Sequence, residues 1–220
     1  MTDIQFNKPH NVVFLDFETT GLDINKLKVI EVALNTLYKG DDGYEDLINP
    51  NMRVSVLTEQ LTHITNSMLR QQGKSELEVV INMYNYIKDI EQSLNGGNIY
   101  LVAHNGSKFD FPIFRNLLAK YGFIIPENWR FIDTLEMSRK IRVTPRNSMA
   151  TLCSHYKVNN VAAHRAMSDV IALSQVYLYL SDDICMAEKY NGCWELSTEQ
   201  MNKVIKTQEF PEYLLGWIST

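Results

Sequence analysis

The sequence predicts an α/β domain in which a mixed five-stranded sheet is flanked by helices. Val12–Leu15 is an uninterrupted apolar run rich in β-branched residues, which is typical of a buried strand. Two further strand-like segments follow it as a meander, whereas the later strand-like segments alternate with helical ones. A meander gives antiparallel neighbours and a strand–helix alternation gives parallel ones, so we expect both pairings in one sheet.

Size and composition indicate a soluble, intracellular protein. The chain has 220 residues, enough for one large domain, with 45% hydrophobic and 21% charged residues. No apolar run approaches the roughly 18 residues that a membrane helix needs, and the three cysteines lack metal-ligand spacing. The net charge of −5 argues against a broad basic surface. A polyanionic partner would therefore be held locally, by metal ions and a few basic side chains.

The first half of the chain alternates strands with turns and then becomes helical. Thr19–Lys28 is a polar turn, and Ser75 opens a helix as a candidate N-cap with Glu78 three residues later. The other predicted segments are a strand at Val29–Leu37 interrupted by Glu31, a hairpin turn at Lys39–Gly43, a strand at Tyr44–Ile48 and two short helical turns within Leu57–Arg70. The Ser75 helix ends at Asn95-Gly96-Gly97.

The second half begins with another apolar run, Ile99–Ala103, that ends in polar residues. The predicted segments after it are a helix at Lys108–Tyr121, a strand at Arg130–Asp133 and helices at Thr134–Ile141, Ser148–Tyr156 and Ala163–Leu180. We expect residues 1–180 to form the domain. Residues 181–220 would be a C-terminal helical extension and tail belonging to the same unit.

The first apolar run leads directly into two acids, Asp16 and Glu18. Side chains alternate along an extended chain, so both carboxylates project to one side and Phe17 to the other. Two carboxylates placed in this way repel each other unless a cation lies between them, and their hard oxygens suit Mg²⁺ or Mn²⁺. The alternative is a strand end that frays into solvated acids.

Three further residues are candidates for the same site. Asp110 opens the helix after the second apolar run, where an aspartate can also simply complement the helix dipole. His164 precedes Asp169 by five residues, which on a regular helix places the two about 140° apart. They can share a site only if His164 comes from the loop or first turn; otherwise His164 is an ordinary helix-end residue.

The order Asp, Glu, Asp, His, Asp in its local contexts resembles the DEDD exonuclease superfamily, in its histidine-bearing DEDDh (DnaQ-like) branch. The matching motifs are LDFETTGL (15–22), VAHNGSKFDFPIF (102–114) and HRAMSDVIAL (164–173). The middle motif and FIDTLEMSR (131–139) are most similar to three-prime repair exonucleases and to the proofreading exonuclease of bacterial replicative polymerases. The resemblance covers about residues 10–180.

The resemblance implies a ribonuclease-H-like fold and a metal-dependent site. Asp16, Glu18, Asp110 and Asp169 would hold two Mg²⁺ ions, which Mn²⁺ can replace, and His164 would be the general base. Phosphodiester hydrolysis develops charge on both the attacking and the leaving oxygen, and two metal ions can stabilise both. A histidine, whose ordinary pKa is about 6.5, suits proton transfer near neutral pH.

The resemblance also implies residues that bind the substrate. The terminal nucleotide would lie against the backbone of Thr19, Thr20, Gly21 and Leu22, with the Leu22 side chain as a wedge beside its base. Asn105 and Phe109 match positions that contact the next nucleotide, although Phe109 could equally pack in the core.

One position departs from the family pattern. Thr62 and His63, in QLTHIT (60–65), are further substrate-binding candidates by the resemblance, but His63 stands where relatives usually carry glycine. Glycine normally lets a backbone come close, so His63 leaves the fit of the terminal sugar open, and it could also add a polar contact.

The resemblance implies a 3′→5′ exonuclease that releases nucleoside monophosphates from the 3′ ends of DNA, with single strands preferred. One alternative is a 3′→5′ exoribonuclease, because no motif reads a 2′-hydroxyl. Another is a polymerase accessory (proofreading) subunit built on a nuclease fold. The expected partner is nucleic acid and not a membrane; a homodimer or a polymerase partner stays open.

Overall fold

The computed structural model describes residues 11–36, 43–94, 97–141 and 143–189, which form a five-stranded sheet with helices on both faces. The strands are β1 (Val12–Thr19), β2 (Val29–Thr36), β3 (Tyr44–Leu47), β4 (Ile99–Ala103) and β5 (Trp129–Asp133). The helices are α1 (Val56–Thr62), α2 (Asn66–Gln71), α3 (Glu76–Ser93), α4 (Asp110–Lys120), α5 (Thr134–Lys140), α6 (Met149–Tyr156) and α7 (Ala166–Lys189). Most of the predicted hairpin turn and residues 190–220 lie outside the described residues.

The sheet confirms the predicted mixture of antiparallel and parallel pairing. Its strand order is β3-β2-β1-β4-β5. The meander β1-β2-β3 pairs antiparallel, whereas β1-β4 and β4-β5 are parallel. β1 is therefore the central strand, and the ends of β1, β4 and β5 meet at one edge, where loops carry polar side chains.

Alternate residues of β1 face two different hydrophobic clusters. Val12 and Phe14 pack with residues of α5, α6 and α7, whereas Val13, Leu15 and Phe17 pack with residues of α3 and α4. The sheet is thus covered on both sides. No helix in the described ranges is long and apolar enough to cross a membrane.

Two elements end later than predicted. β1 continues past the apolar run to Thr19, because Asp16 pairs with Ala33 and Glu18 with Glu31 on the neighbouring β2. The last helix begins later and ends later than predicted, running as one helix from Ala166 to Lys189.

The predicted helix starts are mostly confirmed by capping hydrogen bonds. Ser75, Ser148 and Thr65 each accept a hydrogen bond from a first-turn N–H at the start of α3, α6 and α2. α1 begins at Val56, one residue before the predicted range, because its cap is Ser55, whose hydroxyl accepts the backbone N–H of Thr58 (3.0 Å).

Candidate active site

Asp16 and Glu18 project from the second half of β1 toward the face that α7 covers. Phe17 between them points the opposite way and is buried against α3 and α4. Both acids are partly buried. The pairing of β1 with β2 shifts register between Glu18 and Thr19, directly after the second acid.

Asp110 comes to the same place from the start of α4. Its side chain is only 3% exposed, and its carboxylate accepts a hydrogen bond from the backbone N–H of Phe17. The loop before α4 turns tightly at Gly106, where an added Cβ would lie 2.6 Å from the ring of Phe111 and 2.7 Å from the Cβ of Ala103. Only glycine fits that turn without a shift of its neighbours.

His164 and Asp169 complete the group from the loop and first turn of α7. His164 lies two residues before the helix, has a φ of 68°, and donates its backbone N–H to Oδ2 of Asp169 (2.9 Å). Ligand atoms of Glu18, His164 and Asp169 lie within 4.8 Å of one another. Because His164 belongs to the loop, the 140° separation on a helix does not apply and both side chains reach one site.

We call Asp16, Glu18, Asp110 and Asp169 the carboxylate cluster. Burial raises the pKa of all four acids, which shows how costly their charges are without a counter-ion. It raises the pKa of Asp110 to about 7, although hydrogen bonds from the backbone N–H groups of Asp110 and Phe17 oppose the shift.

The charges of the cluster add to the effect of burial. Burial raises the pKa of Glu18 to about 8, with further contributions from Asp169 and Glu31, while Arg165 lowers it. For Asp16, burial and then the charges of Asp110 and Glu18 raise the pKa well above its usual range. A site in which acids disfavour each other's ionisation binds cations strongly, and carboxylate oxygens are the ligands preferred by Mg²⁺ and Mn²⁺. The carboxylate cluster therefore fits a divalent metal.

The loop after β1 is held by its two threonines. The Thr19 hydroxyl donates to the carbonyl of Gly21 (2.7 Å), and Thr20 exchanges two 2.9 Å hydrogen bonds with Lys28. A Cβ added to Gly21 would meet nothing within 4 Å, and Leu22 is 86% exposed. The loop thus presents open backbone and one apolar side chain to solvent.

The backbone at His63 has a conformation that favours glycine. His63 ends α1 with a φ of 59°, in the left-handed region that glycine adopts without steric cost. The preceding Thr62 is buried, and its hydroxyl donates to the carbonyl of Thr58 (2.9 Å) and accepts from the N–H of Ile64 (3.1 Å). Thr62 therefore fixes this turn, while the side chain of His63 is exposed.

Asn105 and Phe109 lie in the loop between β4 and α4. Asn105 has a φ of 61° and donates its backbone N–H to Asp133 (2.9 Å). Phe109 is half-buried and packs against the cluster formed with α3 and α4. Core packing therefore accounts for one part of the Phe109 ring, and the rest remains accessible.

The sequence interpretation missed two residues beside the carboxylate cluster, Glu31 and Asn160. Glu31 is described above only as an interruption of a strand, yet it lies opposite Glu18, is fully buried and binds Arg165. Asn160 donates to Oδ1 of Asp169 at 2.5 Å. A charged residue within an apolar strand was the available signal for Glu31, whereas no local pattern marks Asn160.

Comparison with known proteins gives one family. The family model RNase_T, described as an exonuclease, matches residues 13–177. The exonuclease DPD1 (chloroplastic/mitochondrial) of Arabidopsis thaliana is 30% identical over 83% of this chain, and a PolC-type DNA polymerase III of Lacticaseibacillus paracasei is 36% identical over 73% of it. The chain spans 60% of the length of the first relative and 10% of the second.

Solved structures share the fold. Exonuclease I of E. coli, in complex with a dT13 oligonucleotide, superposes with a TM-score of 0.66 at 16% identity, covering 81% of this chain and 42% of its own. Exonuclease X, in complex with 5′-overhanging duplex DNA, gives a TM-score of 0.58 at 20% identity, covering 88% of this chain and 98% of its own. The α/β fold expected from the sequence is thus confirmed.

Proposed function

The chain belongs to the RNase_T family of exonucleases, and from that premise we propose that it is a metal-dependent 3′→5′ exonuclease that acts on DNA. It releases nucleoside monophosphates one at a time and prefers single-stranded 3′ ends. The single observation that carries this proposal is the convergence of the carboxylate cluster with His164, from β1, α4 and the start of α7, at one edge of the sheet.

The carboxylate cluster would hold the metal ions. Asp16, Glu18, Asp110 and Asp169 supply the hard oxygen ligands, and the mutual rise of their pKa values supports this role, because a bound cation removes the cost of ionising them together. Two Mg²⁺ ions, when bound, would stabilise charge on the attacking and leaving oxygens of the phosphodiester.

His164 would act as the general base. Its exposed side chain lies beside Glu18 and Asp169 and takes a proton from the attacking water, a contribution of roughly 10²- to 10⁴-fold in rate. The hydrogen bond from its backbone N–H to Asp169 keeps the loop close to the carboxylate cluster. Asp169 thus serves both as a proposed ligand and as the anchor of the base.

The substrate would end at the loop after β1. The backbone of Thr19–Leu22 is open to solvent at Gly21 and suits close approach of the terminal nucleotide, with Leu22 against its base. Phe109 would stack on the next base with its accessible part. The DNA-bound forms of Exonuclease I and Exonuclease X support DNA over RNA as the substrate.

Digestion of end-labelled DNA and RNA oligonucleotides of matched sequence tests the proposal. With Mg²⁺, the DNA should shorten stepwise from its 3′ end to mononucleotides, a 3′-phosphate should slow the reaction sharply, and EDTA should stop it. Faster digestion of RNA would assign the protein to the exoribonucleases. Equal cutting of circular single-stranded DNA would contradict an exonuclease.

The relatives named as PolC-type polymerases support a polymerase as the protein partner. The chain spans only 10% and 13% of the length of these relatives. A polymerase would therefore have to contact it as a separate chain or as a neighbouring domain. Co-purification with a replicative polymerase of the same source tests this proposal, and its absence would leave the exonuclease acting alone.

A further inference from the structure

Glu31 and Arg165 form an ion pair directly behind the catalytic residues. Glu31 is 0% exposed, whereas the Arg165 side chain is 31% exposed. Arg165 donates from Nε and Nη2 to Oε1 of Glu31 at 3.0 and 2.6 Å, and Nε also lies 3.3 Å from Oε2. The two carboxylate oxygens are thus occupied by a planar, forked donor, a geometry that lysine cannot reproduce.

The same carboxylate fixes the first residue of α7. The backbone N–H of Ala166 donates to Oε2 of Glu31 (2.8 Å), so Glu31 caps the helix from a neighbouring strand. Arg165 is the residue between His164 and this cap, and its carbonyl accepts the N–H of Asp169 (3.0 Å). Glu31 therefore binds the two residues that directly follow His164.

His164 needs such restraint because its backbone is strained. Its φ of 68° lies in the left-handed region, which a residue with a side chain occupies only when its surroundings impose it. Contacts on either side impose it here: the His164 N–H binds Asp169, and Arg165 and Ala166 bind Glu31.

We propose that Glu31 and Arg165 are positioning residues that hold the imidazole of His164 at the reacting water, acting through the backbone of the loop before α7. This inference rests on the proposed function, in which His164 is the general base. A contribution to stability does not by itself explain why Glu31 and Arg165 occupy these positions, because a buried ion pair is often no more stabilising than apolar residues of the same size. Neither residue touches the substrate in this scheme.

A double-mutant cycle in the full chain tests the inference. Arg165→Met keeps the apolar stem and removes the fork, and His164→Ala removes the base. In the wild-type background, Arg165→Met should lower kcat roughly 10- to 100-fold with KM for single-stranded DNA changed less than about two-fold, since a small misplacement of a catalytic group costs this much. In the His164→Ala background, the same change should alter kcat less than about three-fold, because nothing is left to position.

Two variants control for folding. Lys74→Met breaks the 2.7 Å ion pair between Lys74 and Asp46. Asp46 pairs with Val32, which packs on the face of the sheet opposite to α7, so this variant should leave kcat unchanged. Arg165→Met leaves the charge of Glu31 buried without a partner, which is destabilising. If Arg165→Met fails to fold, Glu31→Gln/Arg165→Met takes its place, because it removes both charges. Arg165→Lys should remain impaired, because it restores the charge and not the fork.

The outcomes separate the inference from the function on which it rests. An equal loss of kcat in both backgrounds, or wild-type kcat in the folded Arg165 variants, overturns the positioning role and leaves His164 as the base. Wild-type kcat in His164→Ala overturns the proposed general base itself. A loss confined to the background that contains His164 supports the proposal.

Discussion

The pKa of Asp16 is raised first by burial and then by Asp110, Glu18 and Asp169, so this one carboxylate opposes the charge of every other member of the cluster. In the absence of metal, ionising Asp16 destabilises the folded protein. With the proposed metal ions bound, Asp16 would be held ionised by the cations, and the repulsion between the acids would be offset. Asp16, whose ionisation is strongly disfavoured in the metal-free protein, is thus the residue on which the proposed metal binding depends most.

Replacing Asp16 tests whether the proposed metal-dependent hydrolysis depends on this carboxylate. In Asp16→Ala, Mg²⁺-dependent hydrolysis should fall by several orders of magnitude, because the proposed shared ligand is lost. The fold should survive, and the metal-free variant should be at least as stable as the wild type, since one repelling charge has gone. Initial rates on labelled single-stranded DNA and thermal unfolding in EDTA measure both effects.

Asp89→Ala is the matched control, because Asp89 is exposed on α3 and should change neither quantity. Substantial Mg²⁺-dependent turnover by Asp16→Ala, in a preparation free of host nucleases, would show the metal assignment to be wrong.

His63 offers a second test at the same scale. Because His63 has a φ of 59°, His63→Gly should relieve left-handed strain and raise the free energy of unfolding by up to about 1 kcal/mol. His63→Ala keeps the strain and removes the imidazole, so it should not be stabilised. Denaturant unfolding measures stability, and KM for DNA shows whether the imidazole contacts the terminal nucleotide.

A rise in KM for both variants would indicate a polar contact from His63, whereas a fall in KM for His63→Gly alone would indicate that the side chain crowds the sugar. If His63→Gly proved less stable than His63→Ala, the assignment of left-handed backbone strain to His63 would be contradicted.

At the scale of elements, one side chain links the end of β5 to two other segments. Asp133 caps α5 through Leu135 (2.9 Å) and also accepts the N–H groups of Asn105 and Ser107 (2.9 Å each). The loop between β4 and α4 is therefore hydrogen-bonded to the strand beside it. Through this loop, Asp133 sets the position of Asn105 and of the start of α4, where Asp110 lies.

Asp133→Asn should loosen this junction. An amide has one acceptor oxygen where the carboxylate has two, so at least one of the three N–H groups loses its acceptor, at a cost of roughly 1 kcal/mol. Urea unfolding should show the loss, and kcat/KM should fall because Asn105 and Asp110 are held less firmly. Asp89→Asn, an exposed change, should leave both unchanged; equal stability of the two variants would contradict the role of Asp133 as a junction.

Local sequence patterns predicted most helices and strands. The features that they did not predict depend on contacts between distant parts of the chain. The caps at Ser75 and Ser148 are visible in the sequence because each needs only its own next three residues. The extension of β1 through Asp16 and Glu18 is not, since it depends on pairing with β2. The pairing of Glu31 with Arg165 joins residues 134 positions apart and could not be read from either segment alone.

At the scale of the whole molecule, the carboxylate cluster makes stability depend on pH and metal together. Burial raises the pKa of Glu18 to about 8 and of Asp110 to about 7, and that of Asp16 is raised as well. In the unfolded chain these acids titrate near pH 4. Between pH 4 and pH 8, the folded metal-free protein therefore binds more protons than the unfolded chain.

Protonation of these acids stabilises the folded metal-free protein. This stabilisation is fully present below about pH 4 and is lost as pH rises toward 8, so the Tm measured in EDTA should fall between pH 5.5 and 8. The proposed Mg²⁺ ions would bind the ionised acids, so Mg²⁺ should restore the Tm most strongly at the upper end of this range. Calorimetry across this range with and without Mg²⁺ measures both trends.

Asp16→Asn/Glu18→Gln is the control for this titration, because it removes two of the shifted groups and should flatten the profile in EDTA. A Tm that rose with pH more steeply in the wild type than in this variant would contradict the raised pKa values.

The site is assembled from residues 16, 110 and 169, so its completion is tied to the order in which the chain folds. Parallel pairing of β1 with β4 closes a long segment, and α7 must then dock across β1 and β2 to deliver His164 and Asp169. Contacts between such distant segments form slowly, because chain closure must precede them. In a chain whose α7 has not docked, the proposed base and one of the four carboxylates are not yet at the site. The proposed activity should therefore appear only once the last helix has folded onto the sheet.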